Sequence, residues 1–179
     1  MSRKALIVVD MQNDFVSGVL GSERAKATVP VVLEKIREYN ESGLPVIATK
    51  DIHSKSYLDN VEGERIPKHC IRGEKGAELD DALLSCHFLK IIEKNNFMAS
   101  PDEQKKIKIA LYEYFGEDPD EIEVCGLCAD ICIVSNALML RMLFPNATIT
   151  VDRNATAGTT EENEEAAFAV MRSCLIDIV

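Results

Sequence analysis

Glu123-Val124-Cys125-Gly126-Leu127-Cys128-Ala129-Asp130-Ile131-Cys132-Ile133 is the stretch that decides the fold. Residues 122–127 form an apolar, β-prone run that contains a glycine and breaks off at a Cys-Ala-Asp turn. An apolar-rich segment, 133–144, follows. The order reads as a buried strand, a tight turn and a helix, with Cys132 in the first helical turn. A thiol there feels the partial positive charge of a helix N-terminus, which favours thiolate. Amides in such a turn have no helical partner and are free to receive an oxyanion. The opposing reading is a buried cysteine that fills space, the commoner fate of a free thiol. Cys125, on the strand itself, reads as core. As zinc ligands, Cys128 and Cys132 lack a second cysteine pair at ribbon spacing.

Outward from this segment, strand and helix signals keep alternating. Residues 5–9 (Ala-Leu-Ile-Val-Val) are apolar throughout, as in a strand covered on both faces, and end at Asp10. A helix is expected over 27–40, stopped by Gly43, then a strand over 45–49 ending at Lys50-Asp51. Residues 52–75 read as a long irregular segment, which inside a compact domain is usually functional or disordered. A short helix over 77–84 and a strand over 88–92, ending at Glu93-Lys94, come next. Ser100-Pro101-Asp102-Glu103 opens a helix that Gly116 stops. A strand over 147–151 ending at Asp152, a helix from Thr160 to about 173 and a strand over 175–179 complete the chain. This alternation implies an α/β fold: three layers, α/β/α, around a six-stranded, mostly parallel, Rossmann-like sheet in one domain, 1–179.

Composition narrows the function classes. The chain has 179 residues, 46% of them hydrophobic, enough for one sizeable core. A net charge of −10 disfavours nucleic acid and anionic membrane as partners, because both need a basic face. No signal peptide and no apolar run near membrane-spanning length is visible, so a cytoplasmic protein with six reduced cysteines is expected.

In open parallel sheets, ligands bind at the carboxyl ends of the strands. Asp10, Asp51, Lys94 and the turn to Cys132 occupy those ends on four strands, and this coincidence points to an enzyme. Cys132 would be the nucleophile and Asp10 the base. Lys94 would lower the pKa of both by its charge. The amides of Cys128 and Cys132 would receive the oxyanion. Taken singly, Asp10 and Lys94 also fit a plain ion pair at the sheet edge. A second cluster is Asp51-x-His53, a loop acid and His69, donors suited to zinc, iron or manganese. Composition leaves Asp59, Glu62 and Glu64 as rival acids. His87, ahead of the third strand, reads as structural. The apolar residues Leu138, Leu140, Met142 and Leu143 exceed what one buried helix face needs and hint at a subunit contact.

Three runs carry a family resemblance over essentially the whole chain. Val9-Asp10-Met11-Gln12-Asn13-Asp14-Phe15, Lys94 after the third strand, and Gly126-Leu127-Cys128-Ala129-Asp130-Ile131-Cys132 resemble the isochorismatase-like cysteine hydrolases. The resemblance implies a catalytic triad of Asp10, Lys94 and Cys132, and a cis peptide at Leu127–Cys128. Asp51-x-His53 and the run from Pro67 through His69-Cys70 to Gly73 and Gly76 resemble the nicotinamidase (pyrazinamidase) branch. Glu62 lies nine residues after His53 and seven before His69, matching the branch's acidic ligand. The resemblance therefore implies one divalent ion per subunit, zinc foremost, on Asp51, His53, Glu62 and His69. It also implies a homo-oligomer that acts on a small-molecule amide: nicotinamide, hydrolysed through a thioester in NAD salvage. Phe15, Ile66, Phe97 and Ile131 are the expected pocket walls. Ile66 departs from the branch, which usually has a stacking aromatic three residues before the last histidine. That departure keeps other small amides or carbamoyl compounds open. An isochorismatase-type hydrolase would leave the metal set unexplained, and a catalytically silent interaction module would leave the triad unexplained.

Overall fold

The computed structural model describes residues 2–179. Six strands form one sheet in the order β3-β2-β1-β4-β5-β6, every neighbouring pair parallel. They are β1 Lys4–Val9, β2 Val46–Asp51, β3 Lys90–Lys94, β4 Glu121–Leu127, β5 Thr148–Ala157 and β6 Asp177–Ile178. The helices are α1 Asn13–Val16, α2 Glu23–Glu41, α3 Val61–Arg65, α4 Pro101–Phe115, α5 Val134–Leu143 and α6 Glu161–Ser173.

The continuous apolar strands are explained by two cores. Ala5, Ile7 and Val9 of β1 face one way, onto Ile107 and Leu111 of α4, Leu140 of α5 and Phe168 of α6. Leu6 and Val8 face the other way, onto Val32 and Ile36 of α2 and Phe15 of α1. Alternate residues of one strand thus bury on opposite faces, and polar alternation has no place. The sheet reverses its strand order between β1 and β4, which opens a crevice at their carboxyl ends. There Gly126 has φ +117, and a Cβ on it would come within 2.1 Å of the Val9 carbonyl oxygen. Only glycine lets the two strands pair this closely.

Several boundaries differ from the sequence reading. The second helix begins at Glu23 because the Ser22 side chain caps it, accepting from the Ala25 amide. Residues 77–84 are not one helix. Two 3-10 turns, Lys75–Ala77 and Asp81–Leu83, stand there, the second capped by Asp80 through the Ala82 amide. The irregular segment contains a 3-10 turn, Lys55–Asp59, and α3, which Asn60 caps through the Gly63 amide. β3 runs two residues later than expected, so Lys94 lies within the sheet. β5 does not stop at Val151. A register shift against β4 lets it resume pairing, Thr156 with Gly126 and Ala157 with Leu127. The polar run Asp152-Arg153-Asn154 marks that irregularity and not a strand end. β6 is reduced to two residues, because Leu175 turns at φ +61 and is exposed. Of the apolar α5 residues, only Met142 is exposed; Leu140 is core and Leu138 and Leu143 are half-buried.

Candidate active site

Asp10, Lys94 and Cys132 meet at the crevice floor, all buried. Lys94 Nζ lies 2.6 Å from Asp10 Oδ2 and donates toward Cys132 Sγ at 3.7 Å and to the Asn96 carbonyl at 3.0 Å. Burial pulls the Lys94 pKa down, but the charges of Asp10, Cys132 and Asp51 outweigh it and hold the ammonium protonated. Asp10 sits at φ +50, a backbone conformation rare for a non-glycine residue. Thr49 fixes its carboxylate, donating from Oγ1 to Asp10 Oδ1 at 2.6 Å and accepting from the Asp10 amide at 3.2 Å.

Cys132 departs from the expectation in two ways. It lies in a π-type turn, Ala129–Ile133, and α5 starts only at Val134. The Cys128 carbonyl accepts from both Ile131 and Ile133 in this turn. Nor does the thiol rest as a thiolate. Burial pushes its pKa well above the ordinary value, and the Asp10 charge adds to this, against the opposing pull of Lys94. Burial also pushes the Cys128 thiol up to about 12. A low resting pKa is therefore not what separates Cys132 from its neighbours. Contact with Lys94 and Asp10 is. The peptide bond Leu127–Cys128 is cis.

Asp51, His53, Glu62 and His69 converge beside this group, with one ligand atom from each lying within 4.8 Å of the others. Glu62 is the loop acid brought in by α3, whereas Asp59 and Glu64 are exposed. His53 is tied to the segment carrying His69: its amide donates to the Cys70 carbonyl and its carbonyl accepts from the Arg72 amide, both at 2.9 Å. His69 Nδ1 contacts the Pro67 carbonyl at 2.8 Å. A carbonyl only accepts, so Nδ1 carries the proton and Nε2 presents its lone pair to the cluster. His53 Nε2 is 2.7 Å from Asp51 Oδ2, yet it makes no directed hydrogen bond, and Asp51 Oδ1 is likewise buried without one. Buried polar atoms that converge without bonding one another suit a shared cation. The electrostatics agree. Burial lowers the His53 pKa, but the Asp51 and Glu62 carboxylates outweigh it and raise it to about 9. Burial raises the Asp51 pKa, but the two adjacent histidines and the Lys94 charge bring it down to about 2. The cluster demands positive charge, and its donor set fits a divalent metal.

Between the two groups lies an apolar cavity of about 360 Å³. Phe15, Ile66, Phe97 and Ile131 all line it, with Cys132 and Cys128 at one side and Asp51, Glu62 and His69 at another. Ala157, Gly158 and Thr159 close a wall that the sequence reading missed, because β5 seemed to end six residues earlier. Gln12 and Asn136 were missed as well. Gln12 Nε2 donates to the carbonyls of Asp51 and Ala77, and its Oε1 accepts from the Asp51 amide, so it fixes the backbone of one ligand. Its sequence signal was its place in the Val9–Phe15 run, three residues past the end of β1. His87 stands outside the cluster, but it is exposed and does not pack as a structural residue as expected.

A model of the isochorismatase domain matches residues 4–179 of this chain. The chain belongs to the isochorismatase family. Among its relatives, the nicotinamidase of Schizosaccharomyces pombe is 26% identical over 211 residues, covering 98% of this chain and 92% of that protein. The pyrazinamidase of Pyrococcus horikoshii, solved in complex with zinc, superposes with a TM-score of 0.83 at 29% identity, covering 99% of this chain and 98% of that one. The N-carbamoylsarcosine amidase from Thermoplasma acidophilum superposes at 0.79 with 27% identity, covering 99% and 95%. This isochorismatase-family chain is a hydrolase acting on amides. Among the described residues, no helix is long and apolar enough to cross a membrane.

Proposed function

We propose that residues 1–179 form one metal-dependent cysteine amidohydrolase domain that converts nicotinamide to nicotinate and ammonia. The observation that carries this reading is Lys94, which touches both Asp10 and Cys132 at the floor of an apolar cavity bordered by a metal-fitting cluster. Nicotinamidase and pyrazinamidase relatives support the substrate class.

In this reading Asp10 takes the Cys132 proton as Sγ attacks the amide carbon, so a poorly ionised resting thiol is converted only when substrate is in place. Lys94 offsets the negative charge that passes between sulfur and carboxylate. The amides of Cys128 and Cys132 receive the oxyanion. Asp10 then hands its proton to the departing nitrogen, ammonia leaves, and a thioester remains on Cys132. A water gives its proton to Asp10 and attacks the thioester carbon. The acid departs and the proton returns to sulfur. Asp51, His53, Glu62 and His69 would hold one divalent ion, zinc, iron or manganese, which when bound supplies a Lewis-acidic anchor for a substrate lone pair. Phe15 and Phe97 would flank the ring. The reading extends to a cytoplasmic homo-oligomer in pyridine-nucleotide salvage, on the composition and the relatives' names.

The test is ammonia release from nicotinamide by the metal-reconstituted protein, with Cys132→Ala as control. Release is expected from the native chain alone. Equal release by the variant would end the cysteine mechanism. Ile66 in the cavity wall favours a second reading, hydrolysis of another small amide or carbamoyl compound by the same residues, and the N-carbamoylsarcosine amidase neighbour fits that outcome. Metal-loaded protein inert to nicotinamide but alkylated at Cys132 would select it.

A further inference from the structure

Asn136 is a buried carboxamide in the mostly apolar helix α5, a costly placement unless every polar atom finds a partner. It finds three. Its Oδ1 accepts from the Ala99 amide at 3.1 Å. Its Nδ2 donates to the Phe97 carbonyl at 2.9 Å and to the Cys132 carbonyl at 2.7 Å. One side chain thus joins the nucleophile's turn to segment 95–99. That segment carries a cavity wall, Phe97, and the Asn96 carbonyl that accepts from Lys94. Its far end is held by Gln104, whose Nε2 donates to the Ala99 carbonyl at 2.8 Å. Phe97 itself is 41% exposed, so burial does not by itself fix it. Its position against the cavity is set by its backbone, and that backbone is bonded to Asn136.

We propose that Asn136 is a positioning residue that fixes Phe97 as the substrate-facing wall and registers it on Cys132. The inference rests on the amidohydrolase reading above. The two halves of its role are separable. A serine at this position can still donate to the carbonyl four residues back, as Ser135 does to the Ile131 carbonyl at 2.6 Å on the same helix. It cannot reach segment 95–99 as a carboxamide does. Leucine, close in volume, loses all three bonds.

The experiment measures kcat and KM for nicotinamide in Asn136→Ser, Asn136→Leu, Phe97→Ala and the Asn136→Ser/Phe97→Ala pair. Asn136→Ser is expected to raise KM about tenfold, the scale of one or two lost buried hydrogen bonds, with kcat within about twofold. Phe97→Ala should raise KM similarly, and the pair should add nothing further, because both act through the same wall. Asn136→Leu should lower kcat in addition. A folded Asn136→Ser with native KM, or KM effects that multiply in full in the pair, would overturn the proposal. A substrate-independent arm compares Cys132 alkylation by 2-chloro-N-phenylacetamide with that by chloroacetamide. The aryl-to-small rate ratio should drop in Asn136→Ser, and an unchanged ratio would overturn the proposal. A chain inert to nicotinamide whose ratio still drops would refute the nicotinamidase reading and leave the role of Asn136 supported.

Discussion

Lys94→Met tests the charge arrangement at the crevice floor. The substitution keeps the length and apolar stem of the side chain and removes only the ammonium. In the native chain that ammonium stands 2.6 Å from Asp10 Oδ2 and 3.9 Å from Asp51 Oδ1, and both Lys94 and Asp10 are fully buried. Removing it leaves the Asp10 carboxylate in a dry interior facing a second carboxylate. Breaking a buried pair from one side costs about 3–5 kcal/mol. For a domain of this size, each kcal/mol moves the melting temperature by about 2–4 °C. A fall of about 10 °C is expected by differential scanning calorimetry, together with loss of amide hydrolysis. The decisive comparison is the pair Asp10→Asn/Lys94→Met, which removes both charges and is expected to recover at least about half of the lost stability. Hydrolysis should stay absent in the pair. A single variant that melts within about 2 °C of the native chain would refute the reasoning. So would a double variant that loses the sum of the two single effects.

Two further outcomes follow from other residues. Burial raises the Glu123 carboxyl, but hydrogen bonds from Lys35 and Tyr39, at 2.5 and 2.6 Å, and the charges of Lys35 and Lys4 bring it below the ordinary value. A depressed carboxyl stabilises the fold above its unfolded pKa, and that contribution is lost as pH falls through its folded pKa. Glu123→Gln should therefore be less stable than the native chain near neutral pH, and the gap should narrow in urea titrations taken below about pH 4.5. A gap that is constant with pH would contradict this. Ile66→Trp would place an aromatic on the cavity wall and, if a flat ring is the substrate, should lower KM for nicotinamide about fivefold, the scale of about 1 kcal/mol for an aromatic pair. A raised KM would mean that Ile66 suits a different amide.

The site was legible wherever a reactive residue followed an apolar run. Asp10 and Asp51 were found because a parallel strand buried on both faces ends abruptly, and what it delivers at its carboxyl end stands out against the run; Lys94 ends the half-exposed edge strand β3, where a shorter apolar run gave the same signal. Glu62 was harder. Composition left it level with Asp59 and Glu64, and only the family's spacing separated them. α3 then turned Glu62 inward and left the others in water. β5 was cut short at Asp152 because a bulge and a strand end look alike in sequence: both interrupt the apolar pattern with polar residues.

By itself the sequence determined the α/β class, the order of the elements and the residue types at each strand end, because burial on both faces of a sheet selects apolar runs one residue at a time. Tertiary structure decided what those residues are to one another. The Cys132 thiol illustrates the division. Local sequence places it near a helix start and implies an easily ionised sulfur. The packed sheet buries it beside Asp10, and burial with that negative charge outweighs the pull of Lys94. Gln12 and Asn136 belong to the same side of the division. Gln12 reaches Asp51, 39 residues away, and Ala77, 65 away, and Asn136 reaches Ala99 and Phe97, 37 and 39 away, besides its neighbour Cys132. Burial is a property of each position and leaves a local trace, whereas a hydrogen bond between distant segments exists only once the chain has brought them together.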